Sequence, residues 1–260
     1  MERQEVEIAL QEIRAALDAG NWDRAAALIE ALKPADQAEL FDDLPLEEQD
    51  HLLPQLELED SADILEKLEE EKAAEVAARL SNAELSSILS EMEPDEAADL
   101  LGDLTPARAA QALASLDEAD EIRPFLAYPD ESAGGLMTAA EVLLHQEMLA
   151  EDAIAHLRAV EPDAETVYYL FVVDRTKRLV GVISLRELVV ASPGMPVREI
   201  MDHDVISVQA HDDQEVAARL MARYDLIALP VVDARDHMLG VITHDDLVEV
   251  LEEEATEDIF

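Results

Sequence analysis

Large apolar residues return every twelve positions through the first half of the chain. The series is Leu32, Leu44, Leu56, Leu68, Leu80, Met92, Leu104 and Leu116. Two further apolar series follow it by eight and nine positions, and they begin at Leu40 and Phe41. Positions 8, 9 and 12 of such a repeat share one face of an α-helix. Helices of about two turns are unstable alone and must stack to bury a shared surface. The pattern therefore predicts a superhelix of short α-helices over residues 1–128.

Helix-start signals fall between the repeats. Proline stands at or just after four junctions, where the first turn of a helix tolerates it: Pro34, Pro45, Pro94 and Pro106. Residues 81–84 read Ser-Asn-Ala-Glu, which is the pattern of a capping box, and Thr105 precedes Pro106 as a predicted N-cap. These signals indicate a tight corner after each short helix.

The second half contains a tandem repeat with a constant offset of 59 residues. Residues 170–190 read LFVVDRTKRLVGVISLRELVV, and residues 229–249 read LPVVDARDHMLGVITHDDLVE. Each copy shows an apolar strand, a turn opened by aspartate, a second strand entered through glycine, and a helix capped by Ser184 or Thr243. The dipeptides at 137–138 and 201–202 open the two copies, and an amphipathic helix follows each. This predicts a β-α-β-β-α module used twice, and with the first half a multidomain α and α/β chain.

Charge and composition exclude several classes of function. The chain has 62 acidic and 18 basic residues, a net charge of −44, which opposes binding to nucleic acids. It has no cysteine, so disulfides, thiol catalysis and cysteine-ligated zinc are excluded. We find no nucleophile elbow and no phosphate-binding glycine loop, and we predict no enzyme. No apolar run reaches the roughly 18 residues of a membrane span. Cations are the natural partners of so many carboxylates.

The glycine-entered strands carry the motif that identifies the module. Residues 181–187 read Gly-Val-Ile-Ser-Leu-Arg-Glu, and residues 240–246 read Gly-Val-Ile-Thr-His-Asp-Asp. The pair resembles tandem CBS domains. Two further stretches, ESAGGLMT at 131–138 and DAETVYY at 163–169, resemble the MgtE-type magnesium transporters, and the acidic helical repeats are similar to that family too.

The resemblance implies an organisation for the whole chain. It implies an N domain at 1–128, a linker at 129–136, CBS modules at 137–191 and 200–253, and a connecting segment at 254–260. The transmembrane half of the family would follow Phe260, so we expect an excised, soluble cytosolic portion of a protein of the inner membrane. The resemblance also implies a switch in which Mg²⁺ draws the N domain onto the CBS pair and closes a homodimer.

Asp95 and Asp99 are four residues apart and share one side of a helix, where like charges cost stability. That cost suggests either a cation site or adaptation to high salt. Carried over by position, the resemblance implies Mg²⁺ ligands at Asp63, Asp95 and Asp99 of the N domain. It places the others in the second CBS module and the last residues: Glu215, Asp225, Asp246, Glu249, Glu254, Glu257 and Asp258. Mg²⁺ keeps several waters, so one or two carboxylates per ion suffice.

CBS pairs often bind adenine nucleotides, and the resemblance makes ATP a second candidate ligand. The matching positions are Tyr169, Arg186, Glu187 and Leu226. Glu187 replaces an aspartate proposed for ribose contact, and Leu226 replaces an aromatic residue that could stack on adenine. We therefore expect ATP to bind weakly or not at all.

A second hypothesis belongs to a different class of protein. The chain would be a soluble, adenine-nucleotide-responsive CBS regulator of another protein, and its acidity would reflect a salt-adapted source. CBS modules expose apolar helix faces that usually meet a second pair, and Val248, Val250 and Leu251 supply such a stripe, so we expect a homodimer through the CBS region.

Overall fold

The computed structural model describes residues 3–116, 119–129, 131–140, 142–160 and 168–244. The chain divides into two compact units, Met1–Leu126 (unit 1) and Ala127–Phe260 (unit 2). In the described part of the chain, no helix is long and apolar enough to cross a membrane.

Unit 1 is built from short helices, and its described residues include no strand. The helices are α1 (Arg3–Asp18), α2 (Trp22–Ile29), α3 (Pro34–Asp42), α4 (Leu46–Leu52), α5 (Leu58–Lys67), α6 (Glu70–Arg79), α7 (Asn82–Leu89), α8 (Pro94–Asp103), α9 (Pro106–Leu113) and α10 (Ala119–Ile122). Single 3-10 turns occupy Leu53–Gln55 and Phe125–Ala127. From α3 onward, each helix packs chiefly on the second helix along the chain, as α3 does on α5 and α6 on α8. The predicted superhelix of short helices is confirmed.

The twelve-residue pattern forms the core of this superhelix. The series eight positions into the repeat is buried throughout: Leu40, Leu52, Ile64, Val76, Ile88 and Leu100. The series one position later, from Phe41 to Leu101, is buried as well. Ala112 takes the next place in the first of these series and is fully buried. The spine is therefore continuous because each short helix contributes the same two positions.

The predicted start signals act where the sequence places them. Ser81 and Glu84 form the capping box before α7, with the Ser81 hydroxyl accepting from the Glu84 N–H at 3.2 Å. Pro34, Pro94 and Pro106 stand at the start of α3, α8 and α9. Thr105 is the N-cap of α9, but its side chain makes no capping hydrogen bond.

Unit 2 contains two small sheets. Its strands are β1 (Thr138–Ala139), β2 (Leu143–His145), β3 (Tyr169–Val173), β4 (Leu179–Ser184), β5 (Val208–Gln209), β6 (Ala228–Val232) and β7 (Met238–Thr243). Its helices are α11 (Ala150–Val160), α12 (Leu185–Val190) and α13 (Gln214–Tyr224), with a 3-10 turn at Val197–Glu199. The strand orders are β2-β3-β4 and β1-β7-β6-β5. In the first module β2 runs parallel to β3, and β3 is antiparallel to β4. In the second module β5 runs parallel to β6, and β6 is antiparallel to β7. Both patterns are those that a β-α-β-β-α unit requires.

The two modules exchange their opening dipeptides. β1, which opens the first copy, pairs with β7 of the second copy, with Ala139 opposite Gly240. Asp202, which opens the second copy, pairs with Val182 of the first. A methyl group added at Gly240 would lie 2.5 Å from the carbonyl oxygen of Thr138, and one added at Gly181 would lie 2.4 Å from the sulfur of Met201. Glycine is the third residue of both β4 and β7, because residues of the other module pass directly over it.

Candidate functional site

Five carboxylates gather on α5 and α8 of unit 1, and we call them the acidic cluster: Asp63, Glu66, Asp95, Glu96 and Asp99. Glu66 connects the two helices, because its Oε1 accepts a hydrogen bond of 3.1 Å from the backbone N–H of Glu93 at the start of α8. Asp95 and Glu96 lie in the first turn of α8, and Asp99 lies one turn later. Three predicted Mg²⁺ ligands, Asp63, Asp95 and Asp99, thus belong to one cluster.

The cluster holds its negative charge at a cost. Burial raises the pKa of Glu96 to about 8, with Asp95, Glu66 and Asp99 adding to the shift and Lys67 opposing it. Burial likewise raises the pKa of Glu66 and of Asp63, and neighbouring acids push both further in that direction. A positive charge among these side chains would reverse the effect, because it favours the ionised carboxylates.

A divalent cation fits this chemistry only as a partly hydrated ion. Among the described residues, no group of three or more histidine, aspartate or glutamate side chains is placed to hold a metal by itself. Mg²⁺ takes oxygen ligands and keeps several waters, so it can bind through one or two carboxylates from a single surface.

Sequence reasoning missed Glu66 and Glu96. The repeat contained a signal for Glu66, because Glu30 occupies the same position three repeats earlier. The two glutamates play the same part in the structure, since Oε1 of Glu30 accepts a hydrogen bond of 3.1 Å from the backbone N–H of Glu57. No sequence signal marks Glu96, because its raised pKa depends on burial and on charges that include Glu66 of α5.

The structure separates the two described ligand candidates of unit 2. Glu215 lies in the first turn of α13, and its Oε2 is 3.1 Å from an Nη atom of Arg219. Asp225 ends the same helix in a left-handed conformation with φ 52°, which aspartate tolerates better than most residues. At a rise of about 1.5 Å per residue the two lie about 15 Å apart, so they cannot share one ion. Asp246, Glu249, Glu254, Glu257 and Asp258 lie outside the described residues.

The nucleotide candidates are divided between the two modules. Tyr169 opens β3, is 42% exposed, and pairs in register with Ser184, next to the start of α12. Arg186 and Glu187 lie in the first turn of α12. The Glu187 carboxylate accepts hydrogen bonds from the Ser184 hydroxyl at 2.7 Å and from its N–H at 3.1 Å, and these bonds lower the pKa of Glu187. Leu226 follows α13 and is half-buried. The carboxylate of Glu187, at the position where the family resemblance implies a contact with ribose, is therefore already engaged in the capping box of α12.

The fold and these residues define a pair of CBS modules joined to an acidic helical domain. The family described as MgtE intracellular N domain matches residues 32–131, and the CBS domain matches residues 133–194 and 197–253. The chain belongs to the MgtE family, as its sequence motifs indicated. Neither domain is a catalytic family.

Curated relatives support this assignment over about half of the chain. The magnesium transporter MgtE of Thermus thermophilus is 49% identical over 139 residues, which is 54% of this chain and 31% of that protein. The MgtE of Enterococcus faecalis is 42% identical over 142 residues, or 55% of this chain and 31% of that protein. The match thus spans about a third of the length of these relatives.

Two solved structures match nearly the whole chain. The soluble part of a magnesium transporter has a TM-score of 0.85 and 34% identity, and the match covers 96% of this chain and 99% of that one. The cytosolic domain of the Mg²⁺ channel MgtE in complex with ATP has a TM-score of 0.85 and 38% identity, with 94% and 99% covered.

Proposed function

We propose that this chain is the Mg²⁺-sensing regulatory region of a magnesium transporter or channel and has no catalytic activity. It acts on the cytoplasmic side of the cell inner membrane, with domains and linker at the bounds predicted from its sequence. Mg²⁺ binds between the N domain and the CBS pair, closes a homodimer formed through the CBS modules, and thereby gates a transmembrane domain that lies outside this sequence.

The acidic cluster is the observation that carries this proposal. Three of its carboxylates, Asp63, Glu66 and Glu96, have pKa values raised chiefly by partial burial, and nearby acidic side chains add to each shift. A surface of this kind repels other acidic surfaces until divalent ions are shared between them. The ligands of the proposed sites are those inferred from the family resemblance: Asp63, Asp95, Asp99, Glu215, Asp225, Asp246, Glu249, Glu254, Glu257 and Asp258.

The proposal predicts compaction by Mg²⁺ that monovalent salt does not reproduce. Small-angle X-ray scattering in chelator should give an extended particle, and about 10 mM Mg²⁺, which exceeds the need of weak hydrated sites, should give a compact dimer. A nearly complete shift requires about 5.5 kcal/mol of differential binding, so several ions must act together. Sodium chloride of equal ionic strength screens the charges but cannot bridge them.

A pair of variants tests the acidic cluster within the same experiment. Asp95→Ala with Asp99→Ala should raise the Mg²⁺ concentration at half-compaction, whereas the matched pair Asp18→Ala with Asp23→Ala, remote in sequence from the cluster, should not. If sodium chloride compacts the chain as well as Mg²⁺ does, the acids are a screened surface and the sensing proposal fails.

ATP is a second proposed ligand, because one matching structure is a cytosolic MgtE domain in complex with ATP. We expect weak binding here, since Leu226 offers no ring for adenine and the Glu187 carboxylate is engaged by Ser184. Leu226→Phe should lower the dissociation constant for ATP roughly threefold to tenfold, as a stacked aromatic pair contributes about 1 kcal/mol. Isothermal titration calorimetry measures the change, and Leu220→Phe on α13 is the control. Equal affinities would show that adenine does not lie beside Leu226.

The alternative proposal, a salt-adapted soluble regulator that responds to adenine nucleotides, makes an opposite prediction. It requires ATP or AMP to bind tightly without divalent ions, and it requires Mg²⁺ to act no differently from sodium at equal ionic strength. The scattering and calorimetry measurements therefore distinguish the two functions directly.

A further inference from the structure

The segment ESAGGLMT, which links the two halves of the sequence, is attached to one particular helix. The Ala133 N–H donates to the Asp212 carbonyl oxygen and the Gly134 N–H to that of Ala210, both at 2.8 Å. In return, the Gln214 N–H at the start of α13 donates to the Glu131 carbonyl oxygen at 3.0 Å. We call residues 131–134 the docking segment.

The docking segment is also closely packed against its neighbours. Ala133 is fully buried and Ser132 is 5% exposed. The Ser132 hydroxyl donates to the Pro129 carbonyl oxygen at 2.6 Å and accepts from the Gly135 N–H at 3.2 Å. A Cβ at Gly134 would lie 2.5 Å from the ring of Tyr128 and 2.8 Å from the Ala210 carbonyl oxygen. Only glycine fits there without displacing the segment or the loop before α13.

This attachment fixes the position of a proposed Mg²⁺ ligand. The loop that receives the docking segment ends at Asp213, whose side chain accepts a hydrogen bond of 2.9 Å from the Glu215 N–H. Gln214 and Glu215 are the first two residues of α13, so the segment holds the first turn of this helix by its backbone. The first N–H groups of a helix have no partner within it, and Glu131 supplies one from outside.

We propose that the docking segment, through Gly134, positions the first turn of α13 so that Glu215 can bind Mg²⁺. Gly134 is a positioning residue and does not itself touch the ion. The inference rests on the proposed function, because Glu215 matters only if Mg²⁺ compacts the chain. The new element is a role for Gly134, which belongs to none of the proposed ligand sites.

A double-mutant cycle on the full chain tests the proposal. Gly134→Ala should raise the Mg²⁺ concentration at half-compaction roughly threefold to tenfold. Mutations that contact no ligand but lie between coupled sites typically change ligand binding by about this factor. Gly194→Ala is the matched control, since a methyl group there meets no atom within 4 Å. In a Glu215→Gln background, Gly134→Ala should cause no further increase, because a residue that acts through Glu215 cannot act once that carboxylate is gone.

Amide hydrogen exchange in chelator shows separately whether the docking segment has opened. Exchange at Gly134 and Gln214 should accelerate in Gly134→Ala, while β3 of the first module stays protected. Ser132→Ala, which removes only the two hydroxyl hydrogen bonds, is the milder variant if Gly134→Ala does not fold. Opened amides with an unchanged Mg²⁺ midpoint, or equal shifts in both backgrounds, would overturn the positioning role. A wild-type chain that does not respond to Mg²⁺ would instead overturn the proposed function.

Discussion

Glu96→Gln is expected to stabilise unit 1 at pH 8 and to leave its stability at pH 4 nearly unchanged. The pKa of Glu96 is raised to about 8 from an ordinary value of 4.5, chiefly by burial, so the folded chain binds this proton more tightly than the unfolded chain. Stability is therefore lost as pH rises between about 4.5 and 8. Glutamine carries no charge to bury. The full shift at about 1.4 kcal/mol per pKa unit is an upper bound, because Glu96 is only half-buried and solvent screens its charge, so the gain at pH 8 should be about 2–4 kcal/mol.

Urea denaturation followed by tryptophan fluorescence measures this gain. Trp22 is the single tryptophan of the chain and lies in α2, so its signal reports on unit 1. Its ring stacks on His51 with centroids 5.6 Å apart, so the midpoint of the transition should be compared across pH rather than the intensity. Glu91→Gln, at an exposed position just before α8, is the control. Parallel pH profiles for wild type and Glu96→Gln would show that Glu96 is not buried as the structure has it.

Gly240→Ala is expected to destabilise unit 2 strongly, and more than Gly181→Ala does. The added methyl group would meet the Thr138 carbonyl oxygen at 2.5 Å, and a backbone atom in a paired strand cannot move aside without breaking the β1–β7 pairing. Such overpacking costs about 2–3 kcal/mol. Gly181→Ala should cost less, because its nearest neighbour is the flexible thioether of Met201.

Near-ultraviolet circular dichroism of the tyrosines measures the stability lost in each glycine variant and so ranks the variants. All four tyrosines, Tyr128, Tyr168, Tyr169 and Tyr224, lie in unit 2. Gly194→Ala should change stability by no more than about 0.5 kcal/mol, as expected for open space on a surface. A Gly240→Ala variant as stable as Gly194→Ala would contradict the exchange of dipeptides between modules.

The sequence predicts unit 1 well because one repeated constraint builds it. Every short helix must bury the same two positions, and the positions from Leu40 to Leu101 do so. Start signals are equally local, so the capping boxes at Ser81 and Ser184 follow directly from four adjacent residues. Periodicity and capping depend on neighbours in the sequence, and these can be seen without a structure.

The acidic cluster and the exchanged dipeptides could not be predicted in this way. The high pKa of Glu96 arises from burial and from charges that include Glu66, which lies 30 residues earlier. The sequence shows that Met137-Thr138 and Met201-Asp202 open the two copies, but not that each dipeptide lies against the last strand of the other copy, β7 or β4. The glycines of the two motifs are explained only by the close approach of Thr138 to Gly240 and of Met201 to Gly181.

The exchange of dipeptides also bears on how the duplicated module avoids aggregation. Within the described sheet of the second module, β1 covers the side of β7 that β6 leaves open. A second module without its twin would present β7 as an open edge, with backbone N–H and carbonyl groups ready to pair with another chain. Each copy therefore shields the other, which gives a physical reason for such a duplication to be retained as an inseparable pair.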